Sequence, residues 1–161
     1  MGSQERAEKQ EAPAVGKLRQ WDTNAVAEVL EFRGETTIVV PREHIRRAGE
    51  FLLAEPSLQF TFLSDISTVD RFPLEPRFEI NYHLLSIERS VRLRLKVRLP
   101  GSDPAVLSVT GVWPTANWHE RENFDLFGVR FEGHPDLTRI LMPDDWEGYP
   151  LRKDYPVEGY R

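Results

Sequence analysis

Cysteine is absent from this chain of 161 residues. The absence excludes disulfide bonds, and with them any dependence of the fold on an oxidising compartment. It also removes the thiolate side chains that usually bind iron–sulfur clusters and structural zinc. We therefore expect that the protein holds no iron–sulfur cluster through cysteine.

Long apolar runs and an excess of positive charge are also missing. No stretch approaches the roughly 20 apolar residues that a membrane-spanning helix needs, and the polar N-terminus lacks the apolar centre of a signal peptide. The formal net charge of -5 argues against a nucleic-acid binder and against a basic membrane-surface patch. We expect any association with a membrane to come through other proteins.

The length and composition suit one globular domain, since 40% of the residues are hydrophobic and 29% are charged. We divide the chain into a flexible leader at 1–20, a single α+β domain at 21–142 and an extended partner-binding tail at 143–161. The leader is assigned from its polar composition, which is typical of a disordered or loosely docked segment.

Hydrophobic periodicity predicts a two-layer α+β fold. Its sheet is mixed and mostly antiparallel, its helices pack on one face, and an extended Pro-rich tail leaves the body. Capping and spacing place a further strand and a second short helix after residue 128, with Asp136 as the cap of that helix. The other predicted elements are helices at 24–33, 42–54 and 115–128, and strands at 35–40, 58–62, 78–84, 91–99 and 107–109.

The strand at 91–99 has the most regular alternation in the chain. Its apolar residues alternate with four cations, Arg92, Arg94, Lys96 and Arg98. One face of this strand must therefore belong to the core. The cationic face is typical of a solvated surface, and docking of an acidic protein is the alternative.

The helix at 115–128 carries charged and aromatic residues on one side. At 100° per residue, Trp118, Arg121, Glu122 and Asp125 share this side. Because Arg121 and Asp125 are four residues apart, we expect them to form an ion pair. Such a cluster either stabilises the domain or contacts a neighbour.

The tail at 143–161 shows no hydrophobic period, and it contains Pro143, Pro150 and Pro156. Proline fixes φ and removes backbone donors, so the tail should be extended and yet restricted. Aromatic side chains in such a segment, here Trp146, Tyr149 and Tyr155, become buried only against another surface. The pattern indicates an interaction element.

Two other classes of function compete with this interpretation. His134, Asp136 and Asp144 have the side-chain types of a hydrolytic metal site, yet no HExxH helix is present because Asn123 stands where its second histidine would be. The glycines are isolated, so there is no Gly-rich phosphate loop. A free-standing metal-dependent hydrolase stays the disfavoured alternative, and a self-associating structural domain is the third.

A long ungapped series of motifs resembles one known family. The motifs are Glu120-Arg121-Glu122, Asp125-Leu126-Phe127-Gly128, Gly133-His134-Pro135-Asp136-Leu137, Arg139-Ile140-Leu141, Pro143-Asp144-Asp145-Trp146 and Leu151-Arg152-Lys153-Asp154-Tyr155-Pro156. They resemble the C-subunit, or 30 kDa subunit, family of NADH-quinone oxidoreductase, respiratory complex I. Weaker similarity extends upstream through 78–99. One departure is Tyr149, which stands where the family usually has histidine.

The resemblance implies a non-catalytic subunit of the peripheral arm, bound to the large quinone-site subunit and to other peripheral-arm subunits. NADH, FMN, iron–sulfur clusters and quinone would belong to partner subunits, and this chain would hold no cofactor. The complex would lie on the cytoplasmic face of the bacterial inner membrane. Equivalent subunits of membrane-bound hydrogenases or related dehydrogenases remain an alternative. The expected interface comprises Trp118, Arg121, Glu122, Asp125, His134, Asp144, Asp145, Trp146, Tyr149, Arg152, Lys153, Asp154 and Tyr155.

Overall fold

A five-stranded mixed sheet organises the computed structural model, which describes residues 11–160. The helices are α1 (Pro13–Trp21), α2 (Ile45–Ala54) and α3 (Ala116–Phe127), and a short 3-10 turn spans Thr23–Ala25. The strands are β1 (Glu28–Phe32), β2 (Glu35–Val39), β3 (Phe62–Asp70), β4 (Phe78–Ser86), β5 (Val91–Leu99), β6 (Ala105–Leu107) and β7 (Arg130–Glu132).

The strand order in the large sheet is β1-β2-β5-β4-β3. Only β2 and β5 pair in parallel, and the other three pairs are antiparallel. Alternate residues of the strands join buried residues of all three helices in one hydrophobic core. The predicted α+β class, with a mixed and mostly antiparallel sheet, is therefore confirmed.

The predicted leader is a helix over its second half. α1 begins with a proline at its first turn, where the missing N–H has no helical partner to lose. Val15 and Leu18 of α1 are fully buried in the core. The assignment of these residues to a flexible leader was therefore wrong, and residues 1–10 lie outside the described part of the chain.

The predicted helix at 24–33 is wrong as well. Arg33 and Gly34 have φ of 51° and 82°, which is the pair of positive values that a tight hairpin turn needs. The turn joins β1 to β2 and sets Phe32 opposite Glu35. Val29 and Leu30, which form a helical apolar stripe with Val26 in the sequence, are half-buried residues of an edge strand.

The strands predicted at 58–62 and 107–109 each overlap an observed strand, β3 and β6, at one residue only. Leu58 and Phe60 enter the core from the turn after α2, and β3 begins only at Phe62, because Gln59 has a φ of 51° and interrupts the extended chain. β6 does not complete the meander of the large sheet, since it pairs in parallel with β7 to form a second, two-stranded sheet.

The cationic face of β5 is satisfied within the sheet for the most part. Arg94 pairs with Glu35 at 2.7 Å, Lys96 with Glu79 at 2.9 Å and Arg98 with Glu28 at 2.8 Å. These ion pairs join β5 to three other strands of the same sheet, so three of the four cations have partners in the chain itself.

Gly49 within α2 has a packing reason. A Cβ at this position would lie 2.9 Å from the ring of the buried Trp113. The indole N–H of Trp113 donates to the Phe60 carbonyl at 3.0 Å. The helix thus accepts a residue of low helix propensity so that the tryptophan can lie against its backbone.

Within residues 11–160, none of the helices has the length and apolar character required to cross a bilayer.

Candidate functional site

Helix α3 carries three buried polar side chains, and each bonds to a different part of the chain. Glu120 accepts hydrogen bonds from the stretch 108–109 at 2.7 Å, from one hydroxyl and one amide. Asn123 donates to the Ile66 carbonyl of β3 at 2.7 Å. Asp125 binds residues that follow β7. α3 therefore connects β3 of the large sheet, the loop at 108–109 that precedes α3, and the residues after β7.

Asp125 anchors the start of a stretch that we call the C-terminal segment, residues 139–155. The Asp125 carboxylate is fully buried and accepts a hydrogen bond from Arg139 Nη1 at 2.9 Å. It also accepts three backbone N–H groups, from residues 140, 141 and 142, at 3.1, 2.7 and 2.9 Å. Burial favours a higher pKa, but the amide donors and Arg139 hold the pKa of Asp125 below its usual value.

The predicted ion pair between Arg121 and Asp125 does not form. Arg121 donates instead to the backbone carbonyls of Thr138 and Arg139, at 3.1 and 3.0 Å, and its guanidinium lies 5.2 Å from the ring centre of Trp118. The helical spacing was correct, but Asp125 faces inward, where Arg139 and three amides satisfy it.

A second buried carboxylate, Asp70 at the end of β3, anchors the other end of the C-terminal segment. Arg77 donates to Asp70 through two nitrogens, at 2.9 and 2.8 Å, and to Asp154 through two contacts at 3.0 and 2.6 Å. The Lys153 amide also donates to Asp70, at 2.8 Å. Burial favours a higher pKa, but Arg77 and the amides of Lys153 and Phe72 lower the pKa of Asp70 to about 2.

Between the two anchors, three guanidinium groups and three aromatic rings alternate in a continuous stack. The distances from guanidinium carbon to ring centre along it are 4.9, 5.0, 5.3, 4.7 and 5.4 Å. All are within the range of cation–π attraction. We call this arrangement the arginine–aromatic stack; its members in order are Phe72, Arg77, Phe78, Arg152, Tyr149 and Arg139.

Gly128 ends α3 in the left-handed region, with a φ of 74°. The stack packs directly on it, because a Cβ at Gly128 would lie 2.6 Å from Tyr149 and equally close to Arg152. Arg152 Nε donates to the carbonyl of Phe127 at 2.6 Å, so it also satisfies the C-terminal end of the helix. This position therefore requires glycine for two reasons.

The prediction of an extended tail that leaves the body is not confirmed. Residues 143–160 contain no helix or strand, but the middle of this stretch lies on the domain. The Leu151 amide donates to the Leu126 carbonyl at 3.0 Å, in addition to the contacts of residues 152–154. The predicted helix after Asp136 is absent as well. The prolines prevent regular secondary structure in this stretch, whereas hydrogen bonds to charged side chains hold the C-terminal segment against the α+β domain.

The predicted interface residues fall into two groups. One group is exposed to solvent: Trp118, Glu122, Asp144, Asp145, Trp146, Lys153 and Asp154. The other is buried or half-buried and contacts the chain itself: Arg121, Asp125, His134, Tyr149, Arg152 and Tyr155. Among the exposed group, Trp118 and Trp146 leave 61% and 40% of their surface accessible.

His134 has a structural position in the turn after β7. Its Nε2 lies 3.1 Å from the Asn117 carbonyl, and its Nδ1 accepts the Asp136 amide at 3.0 Å. Both ring nitrogens are thus engaged by backbone groups. Across residues 11–160, no three His, Asp or Glu side chains are grouped so that they could hold a metal ion. The described residues therefore offer no set of metal ligands that would support the hydrolase alternative.

Residues 38–161 match the family described as respiratory-chain NADH dehydrogenase, 30 Kd subunit. The chain belongs to this family. A curated relative, the C-subunit of NADH-quinone oxidoreductase from Roseiflexus sp. (strain RS-1), is 48% identical over 146 residues, which cover 91% of this chain and 84% of the relative.

Solved structures of related chains share the fold. A trypsin-resistant fragment of Nqo5 is 32% identical, with a TM-score of 0.64 over 76% of this chain and 96% of the fragment. A chain from the membrane-bound sulfane sulfur reductase, an archaeal respiratory membrane complex, is 30% identical, with a TM-score of 0.73 over 89% of this chain and 84% of that chain.

Several residues that shape this family member's surface were not recognised as functional from the sequence. Asp70 and Arg77 flank a Pro-rich loop far in sequence from the family motifs, and their spacing does not predict the contact of Arg77 with Asp154. Glu120 and Arg139 stood inside the family motifs without an assigned role. Arg139 carried a usable signal, because an arginine amid apolar residues near a helix with Asp125 favours a buried ion pair.

Proposed function

We propose that this chain is the non-catalytic interaction subunit of the peripheral arm of proton-translocating NADH-quinone oxidoreductase, with no active site of its own. It docks on the large quinone-site subunit through the exposed side of α3 and the C-terminal segment. The observation that supports this most is the pair of exposed tryptophans, Trp118 and Trp146, on a backbone held by buried ions. Exposed tryptophans on a rigid support are typical of binding hot spots.

The charge of the presented surface indicates the chemistry of the partner. Within residues 11–160, no ion pair engages the exposed carboxylates Asp144, Asp145, Glu147 and Glu158. Arg152 is directed inward, where its Nε donates to a carbonyl of α3. We therefore expect the large subunit to meet this face with basic and apolar side chains.

The remaining parts of the proposal rest on family membership. NADH, FMN, iron–sulfur clusters and quinone belong to partner subunits, and this chain contributes scaffolding. Other peripheral-arm subunits contact it as well. The chain lies on the cytoplasmic face of the bacterial inner membrane and is held there through the complex, with the α+β domain as its body and 143–161 as its partner-binding part.

A second candidate is the equivalent subunit of another membrane-bound complex. The likeness to the archaeal sulfane sulfur reductase chain favours it, at 30% identity. The curated relative from Roseiflexus is more similar, at 48% identity, which favours the first candidate. Loss of NADH-dependent quinone reduction from native membranes after removal of this chain distinguishes the first candidate from the second.

Replacement of both exposed tryptophans tests the docking face. Trp118→Ala with Trp146→Ala should weaken capture of the large quinone-site subunit by a tagged full-length chain, by about 2 kcal/mol or more for a hot-spot pair. Quantitative pull-down from native membranes measures this. Phe32→Ala is the matched control, because Phe32 is an exposed aromatic residue on β1 and is 69% accessible. Equal capture by the double variant and the wild type contradicts the proposal.

A further inference from the structure

The arginine–aromatic stack has a feature that partner contact alone does not explain. Two of its members, Arg77 and Phe78, are almost fully buried, and so are the two anchor carboxylates, Asp70 and Asp125. Buried charges are costly to desolvate, and well-packed apolar residues fill such positions at equal or lower free energy. A set of charges placed here therefore calls for a function beyond stability.

The stack and its anchors fix the backbone of the C-terminal segment from below. Asp125 binds three successive amides at its start, Arg152 binds a helix carbonyl, and Asp70 binds the Lys153 amide near its end. Each of these bonds is directional and involves an ionised group, so each specifies one backbone geometry. The segment has no helix or strand that would specify its geometry otherwise.

We propose that the arginine–aromatic stack and its anchors Asp70 and Asp125 preorganise the C-terminal segment for its partner. The inference rests on the proposed function. The exposed residues bind the partner, and the stack residues act as positioning residues that hold them in the binding geometry beforehand. The ordering of the segment then precedes association, and its entropic cost does not reduce the affinity.

Asp70→Asn tests the proposal in the full-length chain. The amide keeps the shape of Asp70 but loses the charge that Arg77 and the Lys153 amide bind. We expect faster hydrogen exchange at residues 151–155 and affinity for the purified large quinone-site subunit weakened by roughly tenfold to a hundredfold, the range for lost charge-assisted hydrogen bonds. Calorimetry should show the loss as a less favourable binding entropy, since the segment now orders on binding.

Asp103→Asn provides the matched control. Asp103, like Asp70, is a carboxylate paired with arginine, here Arg42 at 3.1 Å and Arg130 at 2.8 Å, but it joins the loop before α2 to β7 and makes no bond to the C-terminal segment. This variant should keep the affinity of the wild type. Asp154→Asn is the milder variant if Asp70→Asn fails to fold. Asp154 is 43% exposed, and its replacement weakens only the contact of Arg77 with Asp154, leaving the pair of Arg77 and Asp70 intact.

The outcomes separate this inference from the docking proposal. If the tryptophan variant loses binding while Asp70→Asn exchanges faster but binds as tightly as the wild type, preorganisation is refuted and docking stands. If neither variant affects binding, the docking face itself is wrong. Unchanged exchange at residues 151–155 in Asp70→Asn and Asp154→Asn also refutes the positioning role.

Discussion

Glu120 makes the stability of this protein depend on pH in an unusual direction. The side chain is fully buried beneath α3, where its two oxygens accept the Ser108 hydroxyl and the Val109 amide, both at 2.7 Å. No arginine or lysine forms an ion pair with Glu120 within the described residues 11–160, and the hydroxyl of Tyr82, also buried there, has no hydrogen-bond partner. Glu120→Gln removes the titration and keeps both polar contacts, since an amide accepts through its oxygen and donates through its nitrogen.

The magnitude follows from the pKa of Glu120. Burial raises the pKa of this carboxyl to about 7, from an ordinary value of 4.5. Because the folded pKa lies above the unfolded one, the native state keeps a proton that the unfolded state loses, so Glu120 reduces stability as pH rises from about 4.5 to 7. At about 1.4 kcal/mol per pH unit, the reduction approaches about 3 kcal/mol above pH 7.

Urea denaturation of the full-length chain at pH 5, 6, 7 and 8 measures this effect. We expect the free energy of unfolding of Glu120→Gln to exceed that of the wild type increasingly between pH 5 and pH 7, and the gap to stay constant above that. Glu43→Gln is the control, because Glu43 is an exposed carboxylate, and it should change stability by less than about 0.5 kcal/mol. A constant difference between wild type and Glu120→Gln across the series refutes the reasoning.

Two other substitutions test the stack directly. Gly128→Ala should destabilise the protein by more than about 2 kcal/mol in thermal melts, since it adds a clash with the stack to the conformational cost of a positive φ. Gly133→Ala is the control, because Gly133 has a φ of 83° and nothing lies within 4 Å of the added Cβ. It should show only the conformational cost of about 1 kcal/mol. Tyr149→His places an ionisable ring between the guanidiniums of Arg139 and Arg152, which oppose its protonation. The C-terminal segment of the Tyr149→His variant should therefore exchange hydrogen faster below about pH 6, whereas that of Tyr149→Phe should show no such pH dependence. Equal exchange in both variants at low pH contradicts the position of residue 149 in the arginine–aromatic stack.

The regular elements of the fold followed from local chemistry. Apolar and polar residues alternate over 78–84 and 91–99, and most of the apolar ones face the core, so the strands predicted at these residues match β4 and β5 closely. α3 was predictable from its spacing and from Gly128 at its C-terminal end. The helix expected at 24–33 failed because its apolar spacing also suits a half-buried edge strand, and only pairing with β2 decides between the two.

The sequence by itself determined the family, the absence of cysteine ligands, the sheet core and a C-terminal stretch without regular secondary structure, because each is written in residue types or in short-range periodicity. Tertiary structure alone decided where that stretch lies. Arg77 and Asp154 are 77 positions apart, and no local pattern encodes the contact between them. The inward turn of Asp125 likewise depends on amides that only the folded chain brings to it. Periodic burial can be read from the spacing of apolar residues, but the partners in a long-range ion pair or hydrogen bond have no regular spacing in the sequence.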